Sequence, residues 1–375
     1  MYFFRRLPGW GKNTMIGAVA VSASLIAAGY TSDWPSMFAL DTMKGCLSLF
    51  NMNSREISRQ AWATKKLVTG KVHEYEDDLR DVGAYRKVTE VDLYGPTWAK
   101  VDNILLGDVA AWTSECEASG SKADRVDLLF VHGGYFVAGS AATYVSLLSP
   151  WTRSLHAKVF VPELPQAPDV ALPIIRQTFV SSYRAALRKS TPSNRLVVAA
   201  EGSGCCLAIS GILQAHASGY DLPSGIICMS PLLDVPGELE EKKDLLFHSK
   251  SIENFMKLVG TPEELKSLSV SSIDDSALAK LPPVLIVYDD GDLTSEQAKA
   301  FQSRLQRLGV PVDIIRRTNL WPAYMLLYHE FPEGLDDMKR VREFVDRVTD
   351  RKSPQSILPP RERYKITTWL PWARE

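Results

Sequence analysis

The sequence predicts an α/β fold built on a mostly parallel sheet flanked by helices. Three observations carry this reading. Short apolar runs recur from residue 126 onward, helical stretches separate them, and most of the runs are apolar on successive residues instead of alternating. Continuous apolar runs suit strands covered on both faces, and strands separated by helices suit a parallel sheet. Val126–Val131 (VDLLFV), Val159–Pro162, Leu196–Ala200, Gly225–Met229, Pro283–Tyr288 and Val312–Arg316 are the expected strands. Ala171–Arg188, Cys206–Ser218, Ser295–Leu308 and Leu335–Val348 are the expected helices. In such sheets ligands bind at the carboxyl ends of the strands.

The remaining segments are less regular. Residues 1–34 form an apolar, acid-poor N-terminal segment, with Arg5, Arg6 and Lys12 ahead of the run Met15–Tyr30. As a helix that run spans about 24 Å at 1.5 Å per residue, short of a bilayer unless it extends toward Trp10 and Trp34. A retained membrane anchor, a cleaved signal peptide and a mitochondrial presequence all remain open. The expectation is membrane anchoring, with the mitochondrial inner membrane ahead of the secretory or ER membrane. Residues 35–84 read as a helical cap region, including a helix-like stretch Ser54–Gly70. Val88–Tyr94 alternates as a strand would, and Ala99–Glu117 has room for further strand and helix. The main domain is expected over residues 85–350, with a charged insertion at about 234–281 read as a helical lid. Residues 351–375 end in Trp369, Leu370, Pro371 and Trp372 and read as a docking tail for other protein subunits.

Composition excludes several classes. A formal net charge of −1 gives no basic face for nucleic acid. The five cysteines, Cys46, Cys116, Cys205, Cys206 and Cys228, show neither metal spacing nor an even count for full pairing, and read as buried small apolar groups. No cofactor or metal is expected.

Motifs then narrow the fold. His132-Gly133-Gly134-Tyr135-Phe136-Val137-Ala138-Gly139-Ser140 follows the first buried strand. Gln166-Ala167-Pro168-Asp169 with Leu172-Pro173, then Ser230-Pro231-Leu232-Leu233-Asp234, then Leu281-Pro282-Pro283 follow in order. Together these resemble the hormone-sensitive-lipase family of α/β-hydrolases, over roughly residues 85–350. The resemblance implies an α/β-hydrolase fold, a carboxylic-ester site, and an oxyanion loop at His132, Gly133, Gly134 and Tyr135, whose backbone N–H groups face the substrate. Tyr135 stands where the family pattern has a third glycine.

The resemblance also says where a catalytic triad would stand. The family's nucleophile serine falls on Gly202, within Ala200-Glu201-Gly202-Ser203-Gly204. Glycine accepts the positive φ of that turn and supplies no nucleophile. Ser203 comes one residue late, where a helical turn aims its side chain about 100° away. The triad carboxylate falls on Asp292, which as a bare loop residue reads equally well as a helix cap. The triad histidine falls on Trp321, whose indole cannot take a proton at neutral pH. His329 lies eight residues on; His73, His156, His216 and His248 sit in no catalytic context.

Three functions follow as expectations. The first is a catalytically inactive hydrolase-like protein, acting as a structural or binding subunit of a membrane assembly. The second is an esterase or lipase with a rearranged Ser203–Asp292–His329 triad. The third is a receptor for an apolar small molecule in the emptied pocket.

Overall fold

The computed structural model describes residues 82–89, 99–116, 125–190, 195–235 and 249–351, with scattered positions between 57 and 68. The N-terminal run Met15–Tyr30 and the docking tail beyond Arg351 lie outside the described residues. Among those residues no helix is long and apolar enough to cross a membrane.

In chain order the elements are α1 (Val82–Thr89), β1 (Ala99–Leu106), β2 (Val109–Cys116), β3 (Val126–Val131), α2 (Ala141–Ser154), β4 (Ala157–Pro162), α3 (Leu172–Lys189), β5 (Leu196–Glu201), α4 (Gly204–Ala217) and β6 (Gly225–Met229). There follow α5 (Ser249–Val259), α6 (Pro262–Lys266), α7 (Asp275–Leu278), β7 (Val284–Asp289), α8 (Ser295–Arg307), β8 (Val312–Arg317) and α9 (Pro332–Val348). A 3-10 helix, Tyr324–Glu330, precedes α9.

The eight strands form one sheet in the order β1-β2-β4-β3-β5-β6-β7-β8. From β4 to β8 all neighbours are parallel; β1 and β2 pair antiparallel, and β2 joins β4 antiparallel. The six expected strands are all present. The apolar runs sort their successive residues onto opposite faces, as the pleat requires. Leu129, Val131, Val198 and Ala200 enter one core, beneath α3, α4 and α8. Leu128, Phe130, Val197 and Ala199 enter the other, beneath α2 and α9. The central strands are therefore apolar on most successive residues because they feed two cores.

Three segments depart from expectation. Val88 and Thr89 close helix α1 and begin no strand, while residues 90–94 lie outside the described set. Residues 99–116 hold a two-stranded hairpin and no helix, since Gly107, at φ +63°, makes the turn. Helix α2, with Ser140 Oγ accepting from Thr143 N–H, was not anticipated because Pro150 interrupts its pattern. The described part of the 234–281 connection is helical. Its helix α5 packs inward, with Phe255 stacked on Tyr85 at 5.0 Å and on Tyr135 at 6.1 Å. The expected buried cysteines are so for Cys205, Cys206 and Cys228; Cys116 is half-buried.

The crossing of β3 and α4 fixes where the β5 turn projects. A Cβ added at Gly204 would lie 2.4 Å from Val131 O and 2.6 Å from His132 O. Only a residue without a side chain allows α4 to start so close to the strand. Gly204→Ala is expected to lower stability by about 1–3 kcal/mol through this clash, read as a lower urea midpoint. An unchanged midpoint would show that the contact is looser than described.

Candidate functional site

The carboxyl ends of β3, β5, β6 and β7 converge on one cavity of about 250 Å³. β5 delivers Glu201, Gly202 and Ser203 to it, the loop after β3 delivers Gly134 and Tyr135, and the turn after β6 delivers Ser230. The loop after β7 brings Asp292, and the loop after β8 brings Trp321, Pro322 and Ala323. Tyr85 of α1 and Tyr144 of α2 complete the aromatic part of the wall.

The turn from β5 into α4 is a sharp elbow. Gly202 has φ +52°, and Ser203, at φ −66° and ψ −20°, is already helical. Gly202 is held by its N–H donating to Met229 O at 3.0 Å, and its carbonyl accepts from Leu232 N–H at 3.0 Å. A Cβ at Gly202 would touch only Gly133 Cα, at 3.7 Å, so the room of a nucleophile's side chain stands open. Ser203 lines the cavity but is 1% exposed, and its Oγ has no hydrogen-bond partner among the described residues.

The loop His132–Ser140 is bound tightly from behind. His132 is buried, with Nδ1 2.8 Å from Gly133 O and its ring stacked on Tyr144 at 5.2 Å. Burial lowers its pKa, which favours the neutral ring. Gly134, at φ +91°, leaves no room for a side chain, since a Cβ there would strike Ala138 O. Tyr135 and Phe136 both take positive φ, 54° and 64°. A non-glycine residue held there costs about 1–2 kcal/mol, so the loop keeps a glycine's backbone without the glycine.

Glu201 was not singled out as a site residue from sequence, and it is central. Its Oε2 accepts from Gly133 N–H at 3.0 Å and from the Tyr144 hydroxyl at 2.9 Å. Gly133 N–H is therefore committed to a carboxylate, while Gly134, Tyr135 and Ser203 line the cavity beside it. Burial raises the Glu201 pKa above its usual value, and the bonds from Tyr144 and Gly133 oppose the shift. The signal that could have flagged Glu201 is its place as the last residue of a buried parallel strand.

A sequence profile of the α/β-hydrolase fold family matches residues 128–326, just over half of the 375-residue chain. The chain belongs to the α/β-hydrolase fold family. Its expected likeness to the hormone-sensitive-lipase type holds as well. An acetyl-hydrolase of Streptomyces hygroscopicus is 25% identical over 247 residues, covering 63% of this chain and 80% of the relative. An esterase of Acinetobacter venetianus is 25% identical over 232 residues, covering 60% and 76%. Mouse hormone-sensitive lipase is 26% identical over 112 residues, 29% of this chain and 15% of the lipase. Among solved structures, an esterase from the bacterial hormone-sensitive lipase family superposes with a TM-score of 0.63 at 19% identity, covering 75% of this chain and 98% of that one. An esterase/lipase from an uncultured bacterium gives 0.65 at 19% identity, covering 75% and 99%. The two structures speak to the fold alone.

Within this α/β-hydrolase, the triad positions fare differently. Asp292 is 5% exposed and faces the cavity. It does not cap α8, whose N-cap is Thr294 with no side-chain bond, so the capping reading of Asp292 falls. Its Oδ2 accepts from Ser230 Oγ at 2.7 Å and from Asp289 N–H at 3.2 Å. Ser230 Oγ in turn accepts from Ala323 N–H at 2.8 Å, and Asp289 Oδ2 accepts from Leu320 N–H at 2.8 Å. The two aspartates thus pin both ends of the segment 320–323 that carries Trp321. Trp321 is buried against Phe331, at 5.0 Å, and Tyr324, at 6.4 Å. It forms a wall of the cavity. His329 sits in the 3-10 helix with Nε2 3.2 Å from Glu330 Oε1, and it is not among the cavity-lining residues. The structure brings Ser203 and Asp292 to one cavity and leaves His329 outside it.

Glu201 gives the site a pH signature. A carboxyl whose pKa is raised on folding contributes stability that is fully present below its unfolded value of 4.5 and is lost as pH rises through the folded value. Glu201→Gln removes the titration and keeps an acceptor for Gly133 and Tyr144. The melting temperature of the variant is therefore expected to gain on the wild type between pH 4 and pH 8. The gain is about 1.4 kcal/mol per pH unit spanned between the two pKa values. A difference constant with pH would contradict the assignment.

Proposed function

We propose that this α/β-hydrolase holds a small, largely apolar molecule of the acyl or ester class in the cavity at Gly202, without a serine-borne acyl intermediate. The observation that carries the reading is Gly202 itself, which takes the elbow's positive φ and leaves the nucleophile's room open. The ligand class is supported by relatives whose names are esterase and acetyl-hydrolase. It is supported also by Gly134, Tyr135 and Ser203, which line the cavity where the family pattern has its oxyanion loop and elbow.

A second reading, a working carboxylic-ester hydrolase, draws on those same relatives and on Ser203 Oγ, which lines the cavity with no partner among the described residues. The comparisons favour ester chemistry over a structural subunit of a membrane assembly, and nothing among the described residues speaks for that subunit role. Within ester chemistry, the helical φ and ψ of Ser203 and the absence of His329 from the cavity lining argue for binding ahead of turnover.

The test is covalent labelling by a fluorophosphonate probe together with release of p-nitrophenol from p-nitrophenyl butyrate. The wild type and Ser203→Ala are expected to behave alike in both assays. The double variant Gly202→Ser/Trp321→His is expected to acquire labelling, because the scaffold and Asp292 are already in place. Restoring two members of such a unit is expected to raise turnover by at least about tenfold over the wild type. Labelling of the wild type that disappears in Ser203→Ala would establish the hydrolase reading.

A further inference from the structure

The charge of the cavity points beyond its shape. Two carboxyl groups, Glu201 and Asp292, line it, and among the described residues no lysine, arginine or histidine does. The rings of Tyr85, Tyr135, Tyr144 and Trp321 supply much of the remaining wall. In the family pattern a histidine stands at 321, so the exchange for tryptophan removes the wall's one basic group and adds a π face. Asp292 is held on Oδ2 by Ser230 and Asp289. Glu201 is oriented on one oxygen by Gly133 and Tyr144. Ser203 Oγ, 1% exposed, lines the same space with no hydrogen-bond partner among the described residues. The side-chain room vacated at Gly202 lies between them in sequence, bounded by Gly133 Cα alone.

We propose that the molecule this cavity takes carries a small organic ammonium head, seated against Glu201 and the aromatic rings with one N–H donated to Ser203 Oγ. A cation enters a low-dielectric space only where a counter-charge and hydrogen-bond acceptors replace its water. Glu201, held on one oxygen by Gly133 and Tyr144, is that counter-charge. Aromatic faces attract a cation as they do a neutral hydrocarbon, with an added electrostatic part. An anion meets two carboxyl groups and no compensating base. The inference rests on the cavity being a small-molecule site and adds the charge of the molecule it selects.

A charge series on one skeleton tests this on the full chain. Isothermal calorimetry at neutral pH compares 2-phenylethylammonium, neutral 2-phenylethanol, anionic 3-phenylpropanoate and the ester methyl phenylacetate. The ammonium ion is expected to bind at least about tenfold more tightly than the alcohol, and the carboxylate most weakly. Glu201→Gln is expected to reduce the ammonium-to-alcohol preference to within about threefold. Where that variant does not fold, Trp321→Leu serves, with a severalfold loss of the same preference. Ester or alcohol binding as tight as the ammonium overturns the inference and leaves the cavity reading standing. No binding by any of the four overturns both.

Discussion

The turn at Gly202 is the constraint on which the site depends. β5 must stop, reverse its direction and enter α4 within two residues, and only a positive φ at the turn achieves this. Gly204 then seats α4 against the carbonyls of Val131 and His132, so the height of the turn above the sheet is set by backbone contact. In a hydrolase that geometry lifts a nucleophile into the cavity. Here the same geometry lifts a glycine. Ser203, one residue later, already has the φ and ψ of the helix.

The polar groups that would serve such a nucleophile have taken up structural bonds. Asp292, through Ser230, and Asp289 together tie down the segment from Leu320 to Ala323. Ala323 sits in the left-handed region at φ 56°, a conformation those bonds sustain against a cost of about 1 kcal/mol or more. Trp321 is thereby packed against Tyr324 and Phe331 while it lines the cavity. Glu201 takes the first amide of the oxyanion loop for its own carboxylate. The α/β-hydrolase scaffold is kept, and its acids Glu201, Asp289 and Asp292 each bond a loop that borders the cavity.

Much of the fold could be read from sequence, because six apolar strand runs are a strong local signal and each fed both cores. The site positions Gly202, Asp292 and Trp321 were also legible, since they follow strand ends whose order the motifs fixed. Ser230 and Tyr85 were not. Ser230 matters through a bond to a residue 62 positions away, and Tyr85 reaches the cavity from α1, far from any motif. The hairpin β1–β2 was misjudged because its strands are half-exposed and lack the apolar runs of the central sheet. Such features arise from contacts between distant segments, which no local pattern records.

The central claim, a retained ester-class cavity without a serine-borne acyl intermediate, is tested most directly by intact-protein mass spectrometry. The full chain is mixed with excess p-nitrophenyl butyrate and quenched in acid at short times. The account predicts the unmodified mass at every time point. A butyryl adduct that forms, decays with nitrophenol release and maps to Ser203 would contradict it.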